Sequence, residues 1–261
     1  MWGVTMVHNE AETIAAVVEH MFSQGAQGII VADNRSTDET PSILRDLQRV
    51  LPLHIVGDDL EGFFQATKMT MLADLARHAG ADWIVPFDAD ELWFAPQGTV
   101  AEWLRNSSAR VALADIYNVF PAPDDDQTEI NPFVRLTHMS DRAHPLNKVA
   151  FRAHRFAKLH MGNHAVTRRG AIIDGLHIAH YPWRSFEHVA RKLARGKLVM
   201  DATDQDDEVC DHWRRGGTMS MAELHGIWNQ IVEGYPVPEL SWAPDGSRTP
   251  RRVFEWSEWG R

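Results

Sequence analysis

Cysteine is nearly missing: Cys210 is the single one in 261 residues, which excludes an internal disulfide framework and a multi-thiolate metal site. No apolar run reaches the length needed to span a bilayer, and Met1 to Glu12 has no basic segment followed by an apolar stretch. Basic residues are in deficit. The 26 Lys and Arg face 36 Asp and Glu, and the net charge of -10 argues against broad electrostatic binding to nucleic acid. Neither the dinucleotide fingerprint G-x-G-x-x-G nor the phosphate-loop lysine motif occurs, so any phosphate group must be held in another way. These absences predict a soluble, cytoplasmic chain without a transmembrane segment, with peripheral attachment to a membrane left open.

What is present is ordinary globular usage, 44% apolar and 24% charged, in a chain long enough for one large α/β domain plus an extension. Gly3 to Val7 reads as a buried strand. Asn9 and Glu12 have capping-box spacing ahead of a helical stripe of Ile14, Val17, Val18, Met21 and Phe22, which Gly25 ends. Gly28 to Ala32 is a second strand, and Thr40 with Pro41 starts a second helix. Leu53 to Val56 is a third strand, and Met69, Leu72, Leu75 and Ala76 form the inner stripe of a third helix. Trp83 to Phe87 is a fourth strand, in which Pro86 lacks a ladder donor, so that the strand either ends early or lies at an irregular position.

This alternation implies right-handed crossovers and an α/β fold around a mostly parallel sheet flanked by helices. Later strand-like runs, Arg110 to Asp115, Lys148 to Arg152 and Ala171 to Ile173, cannot be ordered from sequence. Ser185 caps a helix with Val189, Ala190, Leu193 and Ala194 inward, and Ser220 with Glu223 forms a capping box before Leu224, Ile227, Trp228 and Ile231. The expected division is a domain over residues 1–200, with a nucleotide-binding half of about 1–95 and an acceptor-side half of 96–200. Residues 201–261 follow as a helical extension with an acidic loop, Asp201 to Asp211, and a tail bearing Trp242, Trp256 and Trp259.

In an open parallel sheet, ligands bind outside the carboxyl ends of the strands. Three such places are polar here: His8 to Ala11, Asp33 to Asp38, and Asp88 to Glu91. Asp88 and Asp90 are two apart on near-extended chain, which points both carboxylates to one side and suits magnesium or manganese. His180 is a candidate third ligand, more for manganese than for magnesium. Lys148, Arg184 and Lys192 are candidates to balance phosphate charge, although solvated cations read the same way in sequence. Trp93 and Trp183 are candidate platforms for sugar rings, and core packing explains them equally.

Val7 to Glu10, Asp33 to Thr40 and Trp83 to Glu91 resemble, in order, the nucleotide-sugar motifs of family 2 glycosyltransferases. The stretch from His180-Tyr181 through Ser185 to Lys192 and Arg195 is similar to the domain end in some branches of that family. Coverage is good over the first ninety residues and patchy from Lys148 to about Lys197. The resemblance implies a GT-A fold and transfer of a sugar from a UDP- or GDP-sugar to a glycan or other hydroxyl acceptor, with Mn2+ or Mg2+ as cofactor. By that analogy the backbone near Val7 and the side chain of Asp33 contact the base, Asn9 and Glu10 lie in the nucleotide site, and Asp38 supports the loop. Asp88 faces the ribose or the metal, and Asp90 ligates the metal.

Inversion is the family expectation. The later Glu-Asp pair that supplies the base in many inverting members is not evident, so Asp115, Glu129 and His164 stand as candidates by position. His164 is open as base, metal ligand or acceptor contact. Two rival readings remain: a nucleotidyltransferase, whose opening glycine-rich loop residues 1 to 12 lack, and a non-catalytic module that binds nucleotide or glycan.

Overall fold

A computed structural model describes residues 1–60, 64–201, 216–237, 242, 244 and 248–250. They fall into two packing units, each built from separate stretches of chain. The first comprises Met1–Leu60, Phe64–Ile116 and Pro145–Ala179; the second includes Tyr117–His144 and His180–Arg261. Ala202 to Asp211 of the expected acidic loop, Trp256 and Trp259 lie outside the described residues.

The first unit is an α/β layer structure. Strands β1 (Trp2–Val7), β2 (Gly28–Asp33), β3 (Leu53–Gly57) and β4 (Trp83–Pro86) are parallel, with β1 between β2 and β4 and with β3 beyond β2. Helices α1 (Ile14–Ser23), α2 (Thr40–Gln48) and α3 (Gln65–His78) connect them. On the other side of β4 the pairing turns antiparallel, first to β8 (Lys148–Arg152) and then to the start of β6 (Val111–Phe120). The sheet is therefore mixed around a parallel core. Val4, Ile30 and Ile84 from the strands pack with Met69, Leu72 and Ala76 of α3, giving the continuous apolar runs expected of strands buried on both faces. Pro86 does end its strand: it sits opposite Val4, and the next amide, that of Phe87, donates to the Val4 carbonyl at 3.0 Å.

Some local readings are overturned. Thr13 is the residue before α1, and the Asn9 side chain reaches Thr37 and Asp38 instead of capping that helix. Leu75 belongs to the outer face of α3, 48% exposed. Four residues after Met71, it shares that residue's exposed face, while Met69, Leu72 and Ala76 hold the core. Gly25 behaves as expected, at φ +88° just past α1.

α1 also carries a buried histidine. His20 Nε2 donates to the Trp93 carbonyl at 2.8 Å, within β5 (Glu91–Phe94), and burial lowers its pKa from 6.5 to about 4. Because the folded value lies below the unfolded one, the unfolded chain binds the extra proton. Stability is therefore intact above pH 6.5 and falls as pH drops towards 4. The full loss is on the order of 3 kcal/mol. Urea melts at pH 7 and pH 4.5 should show a smaller pH effect in His20→Gln than in the native chain; equal effects would discount this histidine.

In the second unit, the end of β6 pairs antiparallel with β7 (His138–Ser140), and β10 (Arg248–Pro250) extends β7 on its other edge. Helices α4 (Val100–Arg105) and α5 (Pro132–Arg135) fall in the first and second units respectively. α6 (Phe186–Asp201) and α7 (Met221–Glu233) bury Val189, Leu193, Leu224 and Ile231 with Phe120 and Trp183. Ala194 is exposed, contrary to expectation. The capping box at Ser220 and Glu223 forms as predicted, and Arg248 donates to the carbonyls of Ile231 and Val232 at 2.8 and 2.9 Å, satisfying the open end of α7. β9 (Ile172–His180) begins in the first unit, where it pairs with β5, and its last residue, His180, belongs to the second.

Candidate active site

The loops after β1 and β2 are laced together at the carboxyl ends of the parallel strands. Asn9 Oδ1 accepts from the Thr37 and Asp38 amides at 2.7 and 3.3 Å, and the Asn9 amide donates to Ser36 Oγ at 2.9 Å. The Glu10 amide donates to Thr40 Oγ1 at 2.8 Å. Asp38 closes the clasp: its carboxylate accepts from the amides of Ala11 and Thr40 at 3.2 and 2.9 Å. Partial burial works to raise the Asp38 pKa, but the donors from Thr40 and Ala11 outweigh it and hold the carboxyl below its ordinary value. The Val7 carbonyl accepts from the Asn34 amide at 2.9 Å, and half-buried Asp33 accepts from the Ser36 amide at 3.2 Å.

A neighbouring device was missed in the sequence. Lys68 on α3 is buried and pairs with Asp58 at 2.6 Å, while Asn34 Nδ2 lies 2.9 Å from the same carboxylate and 2.8 Å from the Leu60 carbonyl. Together they pin the loop after β3. A lysine placed next to Met69, on the buried side of α3, was the available signal.

The acidic residues between β4 and β5 form a turn, with the Glu91 amide donating to the Asp88 carbonyl at 3.2 Å, and not the near-extended chain expected from sequence. Asp88 Oδ2 meets Lys148 Nζ at 2.5 Å, and Glu91 Oε1 meets the same ammonium at 2.9 Å. Lys148 is 3% exposed and Glu91 1%. Burial alone would lower the Lys148 pKa; the charges and hydrogen bonds of Asp88 and Glu91 reverse that and raise it. The ammonium is thus committed to two carboxylates of the turn. The other Asp88 oxygen accepts from Asn163 Nδ2 at 3.3 Å, and the Asp88 amide donates to Glu91 Oε2 at 3.1 Å. Asp90 is 6% exposed on the same turn.

Asp115 and His164 are brought into one neighbourhood by Asn147, which sequence reading did not single out. Asn147 Nδ2 donates to Asp115 Oδ1 at 2.6 Å, and His164 Nδ1 donates to the Asn147 carbonyl at 2.8 Å. With Nδ1 as donor, the neutral ring has its basic lone pair on Nε2. Gly162, at φ +69°, lies under this ring: a Cβ there would come 2.5 Å from Nε2. Asn163 is fully buried in a left-handed conformation at φ +57°, and its Oδ1 has no hydrogen-bond partner. Lys148 follows Asn147 and His164 follows Asn163, so the acidic turn and the Asp115–His164 group are cross-linked through two pairs of adjacent residues.

The remaining candidates, Trp93 apart, belong to the second unit. His180 Nδ1 lies 2.8 Å from Asn118 Oδ1, Arg184 is buried, and Lys192 is half-buried on α6. Glu129 accepts from the Asn131 amide at 2.7 Å, a local turn contact. Trp93 and Trp183 are buried, so packing accounts for both and neither offers an open face to a sugar ring. Among the described residues, the group of three metal-type ligands with atoms within 4.8 Å of one another is Asp124, Asp125 and His138, also in this unit. Asp125 already accepts from the Ala122 amide at 2.7 Å and faces Thr137 Oγ1 at 3.5 Å, and burial raises its pKa.

The sequence model of glycosyl transferase family 2 matches residues 4–162 of this chain. No curated protein sequence matches it. Among solved structures, S. aureus TarS 1-349 in complex with UDP is similar, with a TM-score of 0.44 and 12% identity over 81% of this chain and 69% of that one. The same protein in complex with UDP-GlcNAc gives a TM-score of 0.44 and 12% identity over 89% and 73%. HddC from Yersinia pseudotuberculosis gives 0.38 and 9% over 69% and 93%. Likeness at this level carries neither ligand nor reaction across.

Proposed function

The chain belongs to glycosyl transferase family 2, whose members use nucleotide sugars, and from that premise we propose that it transfers a sugar from a UDP- or GDP-sugar to an acceptor hydroxyl with the help of a divalent cation. The observation that carries this reading is the cross-linked group of Asp88, Lys148, Asn163, His164, Asn147 and Asp115 beside the carboxyl ends of the parallel strands. It offers the two things the reaction requires, a carboxylate turn for the donor diphosphate and a basic nitrogen for the acceptor.

Asp33, at the end of β2, accepts a hydrogen bond from a ring N–H of the base, and the Asn9–Asp38 clasp keeps the loop around it in shape. Asp90 would be the principal protein ligand of the cation, with Asp88 as a second candidate ligand. Hard carboxylate oxygens fit Mn2+ or Mg2+, ions that take one or two carboxylates and fill the shell with phosphate and water oxygens. When bound, the cation stabilises charge on the departing diphosphate. Lys148 holds Asp88 and Glu91 in place. His164 Nε2 takes the acceptor proton, Asn147 holds its ring, and Asp115 holds Asn147. A base acting on the face opposite the leaving group makes the reaction inverting.

Calorimetry with UDP and GDP tests donor recognition. Asp33→Ala should weaken binding of the cognate nucleotide by roughly 1.5 to 3 kcal/mol, the worth of a charged hydrogen bond. Unchanged affinity for both nucleotides would remove that role. His164→Ala should abolish turnover while nucleotide affinity holds, and wild-type turnover in that variant would reject it as the base.

A further inference from the structure

We propose that the outer face of α3 and the turn of residues 154–158 form a docking surface for an anionic lipid bilayer. The surface lies wholly within the first unit and does not depend on the transfer reaction.

Its geometry is an open groove of about 520 Å³ between the helix and the turn. The Leu159 amide donates to Thr70 Oγ1 at 2.9 Å, which fixes the turn against the helix. Three large apolar side chains line it while remaining in water: Met71 and Phe156 are each 63% exposed and Leu75 is 48%. Met71 and Leu75 are four residues apart and so share one helix face, and Phe156 faces the same groove from the turn. Scattered exposed apolar residues are normal on a protein surface; three converging on one groove are a patch that marks an interaction site.

Charge decides what the patch meets. In a chain of net charge -10, residues 142 to 173 contain seven Lys and Arg and no Asp or Glu. Part of that charge is spent inside the fold, Lys148 on Asp88 and Glu91 and Arg152 on Asp82. Arg155 and Lys158 are exposed beside Phe156 and line the groove, with the Arg155 guanidinium 4.5 Å from the Phe156 ring centre. The acid in the groove, Asp74, is matched by Arg77 at 2.8 Å. The result is an apolar centre with a surplus of positive charge at its rim. A bilayer interface takes this combination, aliphatic and aromatic side chains entering the acyl boundary while cations stay level with lipid phosphates. Nucleic acid would use the cations but has no place for Met71 and Leu75, and the net charge opposes it.

Flotation of the full chain with two kinds of vesicle tests this, one of phosphatidylcholine alone and one that also contains phosphatidylglycerol. Binding should be confined to the second and should fall with salt. The double variant Arg155→Glu/Lys158→Glu should lose at least about tenfold in vesicle affinity. Phe156→Ser should also lose affinity, and that loss should persist at high salt. None of these residues belongs to the candidate active site, so melting temperature and nucleotide affinity should stay at wild-type values in each variant. No binding, equal binding to both vesicles, or full binding by the variants would overturn the proposal; in the last case another part of the chain, such as the tail after Pro250 with its Trp and Arg residues, holds the membrane. Binding to heparin or an oligonucleotide that is lost in the double variant and indifferent to Phe156→Ser, with no vesicle binding, would also overturn it and assign the surface to a soluble polyanion.

Discussion

Asp90→Asn should abolish metal-dependent turnover and remove the enhancement of nucleotide binding by manganese while leaving the fold intact. Asp88, Asp90 and Glu91 share one turn, and a donor diphosphate brought beside them meets like charge. Lys148 offsets part of this, but its contacts are with Asp88 and Glu91, and it is buried. Under the proposed function Asp90 would be the principal carboxylate holding a divalent cation, and cation and nucleotide would then bind with mutual dependence. Asparagine keeps the size of the side chain and removes the charge. Manganese should tighten nucleotide binding in the native chain by about 5- to 150-fold, the usual range of such coupling, and by close to nothing in the variant. Calorimetric titrations of nucleotide with and without manganese decide it. Equal enhancement in both proteins would return the acidic turn to a purely structural part.

Lys148→Met should be the most destabilising single change at this site, lowering unfolding free energy by about 3 to 5 kcal/mol, because it strands the Glu91 and Asp88 carboxylates without their cation. Adding Glu91→Gln should restore part of the loss by removing the more deeply buried of the two charges. The Lys148 ammonium should stay charged over the working range. Its folded pKa is raised above the ordinary 10.5, so the stabilisation is complete below that value and fades only as pH climbs through the folded one. Urea melts of the three proteins at pH 7 provide the check. A loss under about 1 kcal/mol, or no recovery in the double variant, would mean that water already screens these carboxylates.

Much of this protein was written in local patterns. Strand–helix alternation and the polar residues after each strand marked the parallel core and its ligand edge, because apolar periodicity and Pro or Gly punctuation act over a few residues. The early end at Pro86 was one of the two outcomes that its missing amide proton allowed. Patterns of the same kind failed where a position was set by a distant neighbour. The Asn9–Glu12 spacing imitates a cap, yet the Asn9 acceptor is taken by amides 28 and 29 residues further on. Leu75 fits the helical stripe by count and still points outward.

Short-range periodicity and ordered motifs carried the parallel core, the family and the acidic cluster after β4, while the turn that this cluster forms came from the fold. Tertiary structure alone decided which charges meet. Lys148, 60 residues after Asp88, reads in sequence as a partner for phosphate or a solvated cation; only antiparallel pairing of β8 against β4 brings it under the turn. Asn147 links Asp115 to His164 and Asn163 touches Asp88 across separations of 32, 17 and 75 residues. The physical reason is that a buried polar group must find a partner wherever the fold supplies one, and nothing in the local chain specifies which partner that is.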